Sequence, residues 1–147
     1  MLPAALLACC QLSNRIVDGF KREDGEVEHL LREDLGRCFS ANEKLISTTI
    51  TNALWAFRTE VSERCEQPRA CQCSLLCVLS LVQEDPKYIS SPDPFKCITY
   101  LFMMPSTRLC RRCLRMMTDR AEKKQKEAWN ELPGVFGLQI TDWEHLD

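Results

Sequence analysis

The chain has 147 residues, of which 45% are hydrophobic and 27% charged, and a net charge of −2. These are the proportions of one ordinary folded domain and not of a disordered chain. Five glycines are few for a turn-rich sandwich or barrel, and ten cysteines are many. No apolar run reaches the roughly 18 residues that a membrane-spanning helix needs.

Residues 1–10 look at first like a leader, but no basic stretch precedes the short apolar run, so they read as the start of a first helix. That helix is expected over 3–20, with Leu6, Cys9, Cys10, Ile16, Val17 and Phe20 near one face. The polar run 21–25 ends it. A second helix is expected over 26–39, with Val27, Leu30, Leu31, Leu35 and Cys38 as its stripe. Ser40 and Glu43 then have the spacing of a capping box, which predicts a new start and a third helix reaching Val61. Ile46, Ile50, Ala53, Leu54 and Phe57 line that helix. Trp55 lies off the stripe, so two buried faces are expected.

Gln67-Pro68 breaks the chain. A fourth helix follows over 69–82, apolar almost all round and therefore expected to be central and widely covered. Pro86, Pro92 and Pro94 mark 83–94 as a loop, and Asp93-Pro94 can start a fifth helix over 94–104. A sixth is expected from Ser106 or Thr107 to Leu132, with Cys110, Cys113, Leu114, Met117, Ala121, Ala128 and Leu132 as its seam, ended by Pro133-Gly134. The fold class is thus all-α, about six helices in one domain over 1–132, with an extended C-terminal tail over 133–147.

The segment 71–82, CQCSLLCVLSLV, followed by an Asp85-Pro86 break and the apolar stretch 95–102, resembles part of an armadillo or HEAT-type array. Large armadillo-like regulators of the meiosis inhibitor kind have this character. The resemblance implies a short solenoid as the alternative to an irregular bundle, and a scaffold without catalytic residues. The long proline-rich loop before Phe95 departs from the usual repeat.

Without a leader the cysteines are expected in a reducing compartment, cytoplasmic or nuclear, as thiols. Cys71, Cys73 and Cys77 form one cluster and Cys110-x2-Cys113 another, with Cys65 nearby. Four thiolates could hold a structural zinc. However, CxxC ligand pairs favour turns, and here both clusters fall within expected helices. The cysteines therefore read as small core residues, with no metal and no cofactor expected.

No phosphate loop, nucleophile elbow or metalloprotease signature occurs, and His29 and His145 are the only histidines. No enzyme, catalytic residue or small-molecule substrate is expected. Charge is distributed unevenly. Residues 108–126 carry eight bases against two acids, and residues 18–34 carry seven acids against three bases. Arg108, Arg111, Arg112, Arg115, Lys123, Lys124 and Lys126 form a candidate interaction surface. Its partner would be a protein or, as the alternative, a nucleic acid, unless the acidic segment covers it. In the tail, Trp143-x-x-Leu146 resembles a short motif that adds to a sheet edge. The competing reading folds both side chains back onto the helices.

Overall fold

The computed structural model describes residues 2–84, 89–95, 108–143, 145 and 146. Among these the chain is mainly helical, with four α-helices and one two-stranded ribbon. Helix α1 spans Leu2–Cys10 and is followed by a 3-10 turn, Ser13–Ile16. Strands β1 (Phe20–Lys21) and β2 (Val27–Glu28) pair antiparallel, Phe20 opposite Glu28 and Lys21 opposite Val27. Helix α2 runs over Arg32–Ala56, α3 over Pro68–Glu84 and α4 over Arg111–Val135. The expected fifth helix, over 94–104, lies mostly outside the described residues, although Asp93 accepts the cap-like hydrogen bond from the Phe95 amide at 3.0 Å.

The first helix is shorter than expected because the chain turns after Leu12 and reverses at Gly19. Gly19 has φ +77°, and a Cβ there would meet the Glu28 carbonyl oxygen at 2.7 Å. Only glycine tolerates both demands. Residues 26–31 consequently form strand and extended chain, not helix, and Leu31 is 73% exposed.

The second and third expected helices are one. Ser40 and Glu43 sit inside α2, because Cys38, Ala41, Leu45, Thr49, Asn52, Ala53 and Ala56 continue one buried stripe in phase across them. A cap is worth about 1 kcal/mol, less than burying one leucine, at about 1.5–3 kcal/mol. Helix α2 ends at Ala56, and Phe57, wholly buried, turns the chain toward an irregular connection.

Helix α3 is amphipathic and not apolar all round. Cys71, Leu75, Val78 and Val82 face the core, while Leu76 is 50% exposed and Cys73 and Cys77 are exposed. Helix α4 buries Cys113, Met117, Ala121, Ala128 and Leu132 much as expected, but Leu114 is exposed.

The buried residues form two cores. One joins Ala53, Ala56 and Phe57 of the α2 end to Leu75, Val78 and Val82 of α3 and Met117 and Ala121 of α4. The other joins Leu6, Leu7 and Cys10 of α1 to Cys38, Ala41 and Leu45 of α2 and to Leu132 and Phe136. The start of α2 therefore meets the end of α4 and the reverse, an antiparallel pair with α1 at one end and α3 at the other.

Pro133 lies within α4. It has no N–H for the carbonyl of Trp129, four residues back. The indole Nε1 of Trp143 donates to that carbonyl at 3.0 Å, and its ring stacks on Trp129 with centroids 4.6 Å apart. Gly137, at φ +65°, then closes the helix. The Gly137 amide donates to the Gly134 carbonyl at 3.1 Å and the Leu138 amide to the Pro133 carbonyl at 2.9 Å, the pair of bonds that defines a Schellman stop. Asn130 holds both the amide and the carbonyl of Leu146. The tail is therefore held at Trp143 and at Leu146, and Trp143 is not available as a free peptide side chain.

Two outcomes follow. Met117→Ala, at a fully buried site, is expected to lower unfolding free energy by about 2–5 kcal/mol in urea; a loss well under 1 kcal/mol would remove Met117 from the core. Trp143→Phe should cost about 1 kcal/mol in the wild-type background. It should cost less beside Pro133→Ala, whose restored amide can serve the Trp129 carbonyl. Equal costs in a double-mutant cycle would refute the exchange.

Candidate metal centre and basic groove

The nine described cysteines are free thiols; Cys9 is partly buried on α1, and the other eight divide into three environments. Cys10 and Cys38 are buried between α1 and α2. Cys10 Sγ donates to the Cys38 carbonyl at 3.6 Å and Cys38 Sγ to the Leu6 carbonyl at 3.7 Å. Burial raises both thiols, Cys10 to about 12. They behave as the small core residues expected. Cys73 and Cys77 are solvent-exposed on α3, contrary to that expectation.

The third environment gathers Cys65, Cys71, Cys110 and Cys113, whose sulfurs all lie within 4.8 Å of one another. Three local structures bring them together. Cys65 lies in the turn before α3, its amide bonded to the Ser62 carbonyl at 2.9 Å. Cys71 is in the first turn of α3. Cys110 is the N-cap residue of α4, with extended backbone, and Cys113 is in that helix's first turn.

The expected sixth helix would have placed the Cys110–Cys113 pair inside a regular helix. It starts instead at Arg111, so the pair occupies a loop-to-helix corner of the kind CxxC ligands use. The spacing alone did not show where the helix begins. Cys65 was noted only as a neighbour, and its role depends on the fold of the connection between α2 and α3.

The sulfurs of this group accept backbone hydrogen bonds. The Cys110 amide donates to Cys71 Sγ at 3.3 Å, and the Ser62 amide to Cys113 Sγ at 3.5 Å. Cys65 and Cys110 Sγ are 3.6 Å apart. Amide donation from Cys113 and Glu66 lowers the Cys110 thiol to about 6. Burial raises Cys113 to about 12 and also raises Cys71. The carrying segments are tied further by Arg112 Nε to Glu66 Oε1 at 3.3 Å and by the Ser74 hydroxyl to the Arg108 carbonyl at 3.1 Å.

Beside this group lies an open groove of about 590 Å³ between the end of α2, the following connection and α4. Trp55 lies against it, half-buried. The guanidiniums of Arg58 and Arg120 and the ammonium of Lys124 stand 5.9, 6.0 and 5.0 Å from its ring centroid. Arg64, Arg112, Arg115 and Lys123 also line the groove.

Of the candidate basic surface, Arg112, Arg115 and Lys123 line the groove, and Lys124 reaches Trp55. Arg108 and Arg111 are exposed where the chain enters α4, and Arg108 precedes the helix, so it does not extend a helical stripe. Lys126 borders a separate hollow near Leu146. Sequence reasoning missed Arg58 and Arg64, and missed Trp55 as the centre. The off-stripe position of Trp55 was the available signal.

The acidic segment does not cover this surface by any ion pair among the described residues. Arg22 pairs with Asp24 and Glu28, and Arg37 with Glu33 and Asp34. The basic helix pairs instead with Glu60, Glu66 and Glu127. Arg115 and Lys123 form no ion pair among the described residues.

Comparison with protein-family models, curated proteins and solved structures finds no match to this chain. The armadillo or HEAT-type resemblance therefore stands on the sequence pattern alone.

The cysteine environments differ in reactivity. In native, reduced protein at neutral pH, iodoacetamide should label the exposed Cys73 and Cys77 well before Cys10 and Cys38, which should react only on unfolding, as read by peptide mass spectrometry. Early labelling of Cys10 would contradict its burial.

Proposed function

We propose that this chain is a non-catalytic helical interaction module whose working face is the basic groove around Trp55, and that the groove docks an acidic segment of a protein partner. The observation that carries this is the convergence of Arg58, Arg120 and Lys124 on one half-buried indole, at the edge of an open groove lined by further cations. An amphipathic ring flanked by cations offers apolar contact and charge complementarity together, the pairing that anchors protein interfaces.

A protein partner fits better than a duplex. The cations are interleaved with Glu60, Glu66 and Asp119 and are gathered around a concave site. Phosphate-tracking surfaces instead present runs of unopposed bases. The armadillo-type resemblance points the same way, toward a scaffold within a larger intracellular assembly.

The test is fluorescence anisotropy with a labelled Asp/Glu-rich peptide and, separately, labelled duplex and single-stranded DNA, at low and physiological salt. The peptide should bind, and the double variant Arg115→Glu/Lys123→Glu should weaken it by about tenfold or more, since like charges across an interface cost several kcal/mol. Trp55 emission should change on binding. DNA binding without peptide binding would replace this reading with the nucleic-acid one, and binding of neither would refute the groove as an anionic docking site.

A further inference from the structure

We infer that Cys65, Cys71, Cys110 and Cys113 form a structural zinc site that joins the connection between α2 and α3 to the starts of α3 and α4. A single tetrahedral zinc holds its sulfurs at about 2.3 Å, which places them about 3.8 Å from one another. The four sulfurs here already lie within 4.8 Å, and the Cys65–Cys110 pair is at 3.6 Å. Seating one ion thus requires sub-ångström to ångström adjustments of side chains. Among the described residues no histidine or carboxylate enters the group, and an all-sulfur tetrahedron selects zinc among the abundant divalent ions.

The direction of the hydrogen bonds separates this group from the ordinary buried thiols. Cys10 and Cys38 spend their S–H groups on carbonyls, as neutral thiols do. In the four-cysteine group, Cys71 and Cys113 accept from backbone amides. Amide donors aimed at sulfur stabilise the thiolate, the form that binds metal, and are the outer-shell partners that orient metal ligands. One donor is the amide of the α4 N-cap residue, and the other lies in the connection before α3. Cys110 is the N-cap of α4, and Cys71 and Cys113 occupy first turns, where the backbone dipole favours negative charge.

The position explains why an ion is useful there. Residues 58–67 contain no helix or strand, and exposed residues dominate them. An irregular connection with little apolar burial is held poorly by packing, and a metal link supplies what a core does not. Zinc entry displaces the thiol protons and closes a chain loop from Cys65 to Cys113. It leaves the Trp55 groove intact, since none of the groove's cations is a ligand. The site also stands independently of the docking proposal.

The experiment uses the full chain, purified under reducing conditions without chelator. Inductively coupled plasma mass spectrometry should find about one zinc per chain. Cobalt(II) exchanged for zinc should show thiolate-to-metal charge transfer and the visible bands of a tetrahedral ion. Stepwise titration of the wild type with an organomercurial should release zinc in proportion to modification of Cys65, Cys71, Cys110 and Cys113. That readout does not require any variant to fold. Cys73→Ser/Cys77→Ser should keep the full zinc content, and Cys110→Ser should lose about tenfold or more in zinc affinity.

Several results would overturn the inference. One is a chain folded by circular dichroism that carries under a tenth of an equivalent of zinc and gives no cobalt bands. Another is iron in the place of zinc. A third is zinc that survives modification of the four thiols, and a fourth is disulfides among the four in the reduced preparation.

Discussion

Everything in this fold rests on the seam between α2 and α4. Both helices have 25 residues and so extend about 37 Å. Small residues line the seam: Ala41, Ala53 and Ala56 on one helix, Ala121 and Ala128 on the other. Small side chains let helices approach closely, and the space they leave at each end is filled by larger ones. Phe57, Leu75 and Met117 fill one end, and Leu6, Leu45 and Leu132 the other. The nine-residue α1 and the 17-residue α3 are near or below the length at which an isolated helix is stable. They persist because each lays a buried stripe onto an end of the pair. At mid-seam the character changes to polar, with Thr49 bonded to the Leu45 carbonyl at 2.9 Å and Asn52 buried.

The basic groove and the four-cysteine group share one origin. Both form where α4 begins and α2 has just ended, because the connection between α2 and α3 must cross that corner. Ser62 illustrates the overlap: its amide faces Cys113, and its residue borders the groove. Arg112 belongs to both as well, through its ion pair with Glu66 next to Cys65 and its place in the groove wall. A module that binds through irregular chain gains from having that chain anchored at several points, since less order must then be imposed on binding.

The parts of this molecule legible in its sequence were those where periodicity governs. The seam of α4, the break at Pro68 and the existence of α3 could be read because local pattern and burial agree there. Where they conflicted, burial prevailed: the Ser40–Glu43 capping signal yielded to a stripe that runs through it. The ribbon at 20–28 was hidden because two residues per strand leave too short a pattern, and its cues were Gly19 and the Asp24-Gly25 turn. The exposed side of α3 was hidden for another reason: cysteine and leucine at Cys73, Leu76 and Cys77 read as buried wherever they occur. The four-cysteine group depends on separations of up to 48 positions, from Cys65 to Cys113. No local window contains it, and placing the helix start a few residues early inverted the meaning of its CxxC pair.

The proline in the last turns of α4 has an evolutionary consequence. Pro133 is harmless to its helix because an indole ten positions later takes over the missing donation. The two residues therefore form one unit of inheritance. A lineage that loses the tryptophan leaves the Trp129 carbonyl without that donor and puts the proline under pressure to change, and a lineage that replaces the proline frees the tryptophan to drift. Among descendants of a common ancestor, the two positions should change together more often than either changes with its immediate sequence neighbours.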